Sequence, residues 1–287
     1  MRRVVIIVEN LPVPFDRRVW SEATTLAENG YHVSVISPMM RGYDAAYEEL
    51  DGVHIYRHPL YESEGSARGY LREYASAFWG QLRLAVKVKR EQGFDVIHAC
   101  NPPDFIFAVA ALFKIFGVKF VFDHHDLCPE LFEAKFNKRG VFYRFLRLAE
   151  KLTFGLADVS IATNQSYKRV AVQRGGMRAS DVYVVRSGPK VEKLKLSPPV
   201  AAHRQGKKFL VGYVGVIGRQ EGLDFLLESA SRVLTQMGRY AVQFAVVGDG
   251  PQLAAVKQEA EDLGVADNFT FYGRASDSVL LEVLNTA

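Results

Sequence analysis

Short runs of β-branched and aromatic residues alternate along the whole chain with longer segments whose apolar residues recur every three or four positions. That alternation is the pattern of βαβ units, and it predicts an α/β fold built on parallel sheets. Arg3 to Val8 reads as a first strand. Arg17 to Asn29 reads as a helix with Val19, Trp20, Ala23, Leu26 and Ala27 on one stripe and Gly30 as its stop. Strands follow at His32–Ile36, Val53–Arg57, Asp95–His98, Lys119–Phe122, Val159–Ala162 and Val182–Val185.

The rhythm breaks between Ser187 and Lys208, where Pro189, Pro198, Pro199 and several lysines mark an exposed connection. We therefore expect a first domain over 1–186, a linker over 187–208 and a second, partial domain over 209–287. The second has strands at Phe209–Val214, Val242–Val247 and Phe269–Tyr272 and helices at Leu223–Leu234 and Gln252–Leu263. A domain of about 80 residues buries a small share of its surface, so the chain reads as a piece of something longer. No period of 20 to 50 residues recurs, which excludes a repeat architecture.

Composition removes several classes. With 48% apolar residues, 24% charged residues and only Cys100 and Cys128, the chain is neither disordered nor a disulfide scaffold. The formal charge of +4 is too diluted for a nucleic-acid binder. Arg2 and Arg3 precede an apolar run that Glu9 ends too early for an export signal. The most membrane-like stretch, Phe105–Phe122, is interrupted by Lys114, Gly117 and Lys119 and reads as a buried helix and strand. The expected location is the cytoplasm.

Most chemical signatures are missing from the sequence. It has no Walker loop, no serine elbow, no His-Glu-x-x-His and no Asp-x-Asp, and Gly212, Gly215 and Gly218 are not spaced as a dinucleotide fingerprint. Position remains as a guide, because open parallel sheets bind ligands at the carboxyl ends of their strands. One such end carries His98, Cys100, Asn101, Pro102, Pro103 and Asp104; another carries Asp123, His124, His125, Asp126, Leu127, Cys128, Pro129 and Glu130. These loops are expected to face one crevice. The alternative is structural: Asp104 starts a helix and the histidines satisfy backbone groups. A zinc set of His98, Cys100, His124, His125 and Cys128 has the right ligand types but no zinc spacing, and no metal site is expected. Two glycine-rich turns, Gly215–Gly222 with Arg219 and Val247–Pro251, are suited to a phosphate at a helix start.

Together these residues resemble the retaining glycosyltransferases of family four. The resemblance is carried by Pro14-Phe-Asp-Arg-Arg-Val19, Glu22-Ala23, Gly30-Tyr-His-Val-Ser-Val-Ile36, Phe94-Asp-Val-Ile-His98, Asn101-Pro-Pro-Asp104 and Phe122-Asp-His-His-Asp-Leu-Cys-Pro-Glu130. Val211-Gly-Tyr-Val-Gly215, Gly222-Leu-Asp224, Val247-Gly-Asp-Gly-Pro251 and Phe271-Tyr-Gly273 extend it through the second part. It implies a GT-B fold of two facing Rossmann-like domains. It also implies sugar transfer from a nucleotide-diphosphate donor to an acceptor hydroxyl with retention, with no cofactor and no required metal. By the same resemblance His125 lies beside the donor sugar, and Asp16, Arg17, Asn101 and Asp126 line the acceptor side. Gly215, Gly218, Arg219, Gly222, Gly248, Asp249 and Gly250 hold the donor. Stabilising the departing diphosphate is the chemistry such a site supplies.

The sequence departs from the family at points. Val216 and Glu221 stand where many relatives place a basic pair, Leu11-Pro12-Val13-Pro14 replaces a glycine pair, and Ser187-Gly188 replaces an Asn-Gly turn. The family's acidic E-x₇-E segment would lie beyond Ala287, so the 287-residue chain alone is expected to be nearly inactive. Arg68–Glu91 reads as a long helix with Arg72, Arg83, Lys87, Lys89 and Arg90 beside Tyr74, Phe78, Trp79 and Leu82; Lys135–Lys151 is a second basic, aromatic stretch. Such helices bind anionic lipid, the alternative being a solvated face over a buried stripe. The expected partners are a nucleotide sugar, a saccharide or lipid-linked acceptor and an anionic membrane surface at the inner face. The rival functions are a nucleotide-sugar epimerase of the same fold and a non-catalytic ligand-binding or membrane-docking protein.

Overall fold

The computed structural model describes residues 2–60, 67–102, 104–188 and 195–287, with backbone alone at 67–74 and 135. Pro103, Pro189 and the side chains of Arg72, Tyr74 and Lys135, all named above, lie outside the described residues. The chain divides into two compact units, Met1–Ser187 and Gly188–Ala287.

The first unit is an eight-stranded sheet. Its strands are β1 (Arg3–Ile7), β2 (His32–Met39), β3 (Tyr47–Leu50), β4 (Val53–Pro59), β5 (Val96–Cys100), β6 (Lys119–His124), β7 (Val159–Ala162) and β8 (Val182–Val184). The spatial order is β3-β4-β2-β1-β5-β6-β7-β8. All neighbours run parallel except the β3–β4 edge pair, so the expectation of a purely parallel sheet is corrected at one edge. The cause is local. Asp51 and Gly52 both have positive φ, 49° and 75°, which is the two-residue turn that joins antiparallel strands.

Helix α1 (Arg17–Glu28) starts at Asp16, whose carboxylate accepts from the N–H of Arg18 and Val19 at 3.1 Å each. It stops at Asn29, with Gly30 at φ 81° continuing the chain. Its buried Val19 and Ala23 pack on Val4, Ile6, Val33, Val35 and Ile55, the residues of one sheet face. The alternate residues Val5, Ile7, Ile97, Ala99, Phe120 and Phe122 form the opposite core. That core lies with α2 (Ala67–Glu91), α3 (Phe107–Lys114), α5 (Val141–Leu156) and α6 (Gln165–Gln173), while α4 (Cys128–Phe136) packs on α5. Period two therefore decides which strand-end side chains meet, since neighbours along a strand point to opposite faces.

The second unit is a three-stranded parallel sheet, order β11-β10-β9, from β9 (Phe209–Val214), β10 (Val242–Val247) and β11 (Phe269–Gly273). Helices α7 (Leu223–Met237) and α8 (Leu253–Asp262) cover one face, burying Leu227, Ala230, Val256 and Ala260 on Phe244 and Val246. A further helix, α9 (Asp277–Thr286), was not expected. It packs Val283 on Leu210, Ala245 and Val247 of the other face, and Ser276 caps it. The chain before β9 is tied to this helix. Ser197 N–H donates to Asn285 Oδ1 (3.2 Å), Val200 N–H to Thr286 Oγ1 (2.9 Å) and Arg204 Nη2 to the Thr286 carbonyl (3.1 Å). His203 bridges Tyr272 Oη (2.6 Å) and Glu282 Oε2 (3.0 Å).

Candidate functional site

At the carboxyl ends of β5 and β6 the register pairs Cys100 with Asp123. His98, Cys100 and Asp123 alternate with the core residues Ile97, Ala99 and Phe122 and so face α1. Arg18 and Glu22, one helical turn apart on α1, come down on them. Arg18 Nη1 donates to Asp123 Oδ2 at 2.6 Å and lies 3.7 Å from Glu22 Oε1. His98 Nε2 lies 3.4 Å from Asp123 Oδ2 and 3.6 Å from Glu22 Oε2, and Cys100 Sγ donates to Asp123 Oδ2 at 3.5 Å.

The electrostatics follow from this packing. Burial pushes the Asp123 carboxyl up, but the contact from His98 and the charges of His98 and Arg18, with the His125 ring nearby, outweigh it and hold it well below the usual carboxylate range. Glu22 is raised, by burial first and by repulsion from Asp123. For His98, burial favours the neutral ring, yet the hydrogen bond to Asp123 and the negative charge of Glu22 leave it raised. Burial drives the Cys100 thiol far up, so it stays protonated.

His125 follows Asp123 on the connection after β6. Its side chain is 15% exposed, against 1% for Asp123. Its Nδ1 lies 3.3 Å from the Asp123 carbonyl oxygen and 3.8 Å from Asp123 Oδ1. The main chain here is clamped by Asn101, whose Oδ1 accepts from the N–H of His125 (2.9 Å) and Asp126 (3.1 Å). Asn101 Nδ2 donates back to the Asp126 carbonyl (2.6 Å) and to Asp104 Oδ1 (3.0 Å).

The expected site residues divide accordingly. Asn101 is 1% exposed and its amide is committed to the loop, so its placement on an acceptor wall is corrected to a structural hold on the loop that carries His125 and Asp126. Asp16 caps α1, Arg17 is exposed, and Asp126 is half-buried beside His125. The expectation that all of 123–126 faces one crevice fails at His124. As the last residue of β6 it points to the opposite side, between Phe122, Phe154 and Tyr167, and burial followed by the charge of Arg174 pushes its pKa down to about 3. The zinc set that included His124, His125 and Cys128 is likewise not assembled. Among the described residues the ligand atoms within 4.8 Å of one another belong to Glu22, His98, Cys100 and Asp123, and Arg18 already takes Asp123 lone pairs a cation would use. Arg18 and Glu22 were missed as members of this cluster. Their spacing beside Val19 and Ala23 was the available signal.

In the second unit both glycine turns sit at carboxyl ends, of β9 and β10, and interlock. Gly215 N–H donates to the Val247 carbonyl (3.0 Å), Ile217 N–H to Asp249 (3.0 Å) and Gln252 N–H to Ile217 (3.0 Å). A Cβ on Gly248, at φ 148°, would overlap the Gly215 carbonyl, and one on Gly250 would overlap that of Ile217. Glycine is thus required by close backbone approach. The N–H groups of Gly215, Gly248 and Gly250 already have acceptors within the unit, which corrects their reading as free phosphate donors. Gly218 and Gly222 bracket a single 3₁₀ turn, Arg219–Glu221, with Arg219 exposed ahead of α7, and Gly222 takes φ 71° at the helix start. Asp249 is exposed on the second turn.

A third feature is a surface. Along α5, Val141 (85% exposed), Phe145, Leu148 and Leu152 form an outward stripe flanked by Arg144, Arg147 and Lys151, and exposed Ile115 and Phe116 follow the end of α3. On α2, Trp79 is exposed above Leu82 and Val86, with Arg83, Lys87 and Arg90 around them. Among the described residues no helix is long and apolar enough to cross a membrane.

Residues 16–193 match the family described as Glycosyltransferase Family 4, and residues 200–287 match that described as Glycosyl transferases group 1. The chain belongs to glycosyltransferase family 4, and its fold is the α/β GT-B class. Solved structures agree on the fold. Sucrose-phosphate synthase from Thermosynechococcus elongatus superposes with a TM-score of 0.76 at 15% identity, over 100% of this chain and 74% of that one. WaaG, a glycosyltransferase of lipopolysaccharide biosynthesis, gives 0.68 at 18% identity, over 98% and 72%. HepE from Anabaena, solved with UDP, gives 0.66 at 17% identity, over 100% and 72%. A 2-deoxystreptamine N-acetyl-D-glucosaminyltransferase of Streptomyces fradiae is 35% identical over 85 residues, which span 30% of this chain and 19% of that protein.

Proposed function

We propose that this chain belongs to an enzyme that moves a sugar from a nucleotide-diphosphate donor to an acceptor hydroxyl with retention, in the assembly of a cell-surface polysaccharide or glycolipid. The observation that carries the reading is His125. It is a part-exposed imidazole at a strand's carboxyl end, held by Asn101, in a chain of family 4. In this reading His125 addresses the donor sugar, and Asp126, Asp16 and Arg17 supply polar contacts to the acceptor. The packed turn backbones at Gly215–Gly222 and Gly248–Gly250, with Asp249, shape the nucleotide end, and Arg219 supplies the cation for the diphosphate. The UDP bound to HepE favours a uridine nucleotide.

The test is thermal unfolding against UDP- and GDP-linked sugars, with nucleotide release measured in the presence of acceptor extracts. A rise in melting temperature with one nucleotide class and acceptor-dependent release are expected. Nucleotide-sugar binding with no free nucleotide released in the presence of acceptor would favour an epimerase, release without any acceptor requirement a hydrolase, and no shift with either class would remove the enzyme reading.

The α5 stripe supports an acceptor that is lipid-linked. Exposed apolar residues interleaved with Arg144, Arg147 and Lys151 have the chemistry of an anionic membrane surface, which would hold the protein peripherally at the cytoplasmic face.

A further inference from the structure

The Arg18, Glu22, His98 and Asp123 cluster lies next to His125, and the reading above gives it no task. Asp123 Oδ2 receives Arg18 Nη1 at 2.6 Å, His98 Nε2 at 3.4 Å and Cys100 Sγ at 3.5 Å. Asp123 Oδ1 is buried with no hydrogen-bond partner, and the nearest ring nitrogen is His125 Nδ1 at 3.8 Å. The same Nδ1 lies 3.3 Å from the Asp123 main-chain oxygen. Both groups that Asp123 turns toward His125 are acceptors. A neutral imidazole has one donor and one acceptor nitrogen, and the partner of one fixes the role of the other.

We propose that Asp123 is a positioning residue that selects the tautomer of His125. Pinned through Oδ2 by Arg18 and His98, it offers Oδ1 and its carbonyl to Nδ1, so the proton resides on Nδ1 and Nε2 accepts a hydrogen bond from a hydroxyl of the bound sugar. The unpartnered Oδ1 supplies a reason for the contact to tighten on binding, because a buried acceptor without a donor is costly. The groups facing Asp123 are Arg18 and Glu22 from α1, His98 and Cys100 from β5, and His125 from its own loop. The sugar contact rests on the proposed function; the tautomer does not.

Asp123→Asn gives a directional test. Arg18 and His98 both donate to the Oδ2 position, so the amide oxygen is held there and the amide NH₂ falls where Oδ1 was. His125 Nδ1 then faces a donor, and the ring proton moves to Nε2. Ring-nitrogen ¹H–¹⁵N spectra of the 287-residue chain, with the His125 signals assigned by their loss in His125→Gln, report this directly on the neutral ring. The expected result is Nδ1–H in the unsubstituted protein and Nε2–H in Asp123→Asn. Asp123→Ala, which removes Oδ1 and leaves only the main-chain carbonyl, should populate both tautomers; a ring that stays wholly Nδ1–H in folded Asp123→Ala would assign the selection to the main chain and overturn the role of the side chain. An Nε2–H ring in the unsubstituted protein overturns the proposal without recourse to any variant, as does an unchanged Nδ1–H ring in folded Asp123→Asn. If the tautomers behave as stated but no sugar nucleotide binds, the positioning stands and the proposed function fails.

Discussion

Arg18 Nη1 and Asp123 Oδ2 meet at 2.6 Å across 105 residues of sequence, joining the first turn of α1 to the end of β6. With Asp123 1% exposed, removing Arg18 leaves a carboxylate without its main cation in a place water does not reach. Arg18→Leu should cost on the order of 3 kcal/mol in urea unfolding at neutral pH, as breaking a buried pair does. Asp123 is held below its unfolded pKa, so its contribution is present above about pH 4 and is lost as pH falls through the folded value. The gap between variant and parent should therefore close as pH falls below about 4. A gap independent of pH down to 3 would mean that packing, rather than charge, accounts for the loss.

Asp104 should give the opposite slope. It is fully buried, with Asn101 Nδ2 on Oδ1 and no partner on Oδ2, and burial pushes its pKa up to about 7. A carboxyl with a raised folded pKa binds more protons in the native than in the unfolded chain between about pH 4 and 7. Stability from this group thus falls as pH rises through that window. Asp104→Asn keeps an acceptor for Asn101 and cannot ionise. Its stability relative to the parent should increase from pH 5 to pH 8 by roughly 2–4 kcal/mol, given about 1.4 kcal/mol per pKa unit. Parallel stability curves for the two proteins would refute a buried titrating Asp104.

The sequence was most readable where a local rule suffices. Strand and helix positions followed from periodicity, and the polar loops after β5 and β6 from the rule that ligands gather at strand ends. The edge strand β3 was hidden because Tyr47-Glu-Glu-Leu50 is half charged, although Asp51-Gly52 was a visible hairpin turn. Helix α9 was missed although Ser276 supplies its cap. For Arg18 and Glu22 only the four-residue spacing beside Val19 and Ala23 was legible; their meeting with Asp123 depends on α1 covering one face of β5 and β6 and on the register of Cys100 with Asp123. The separation of His124 from His125 depends on where β6 ends, and boundaries are what periodicity fixes least well. The glycine turns looked like donors for phosphate; only their mutual hydrogen bonds show that close packing is what excludes a Cβ.

Gly248→Ala tests that packing. A Cβ would run into the Gly215 carbonyl, and φ 148° is strained for any side chain, so β9 and β10 cannot keep both the turn and their register. A loss of about 2–3 kcal/mol in the unfolding of the second unit is expected. Gly188→Ala, where nothing lies within 4 Å, should change stability by less than about 0.5 kcal/mol. The variant's UDP affinity, read by calorimetry, should fall with its stability. Full UDP affinity in Gly248→Ala would separate the turn from nucleotide binding.

The α5 surface separates lipid contact from folding. Arg144 and Lys151 are exposed beside the outward Val141, Phe145 and Leu148, so neutralising them removes no buried contact. Each cation near an anionic bilayer contributes about 1 kcal/mol, and the double variant Arg144→Gln/Lys151→Gln should lose about 2 kcal/mol, roughly thirtyfold in partitioning to phosphatidylserine vesicles. Raising salt should erase the difference, because screening shortens the reach of both charges. Phe145→Ser/Leu148→Ser should weaken binding at every salt concentration, since it removes the inserted apolar surface and leaves the charge. The melting temperature should stay near the parent's in Arg144→Gln/Lys151→Gln, whereas Phe145→Ser also gives up the ring contact with Phe105 and should lower it. Equal sedimentation of parent and both variants with vesicles at low salt would show that this helix does not meet the membrane.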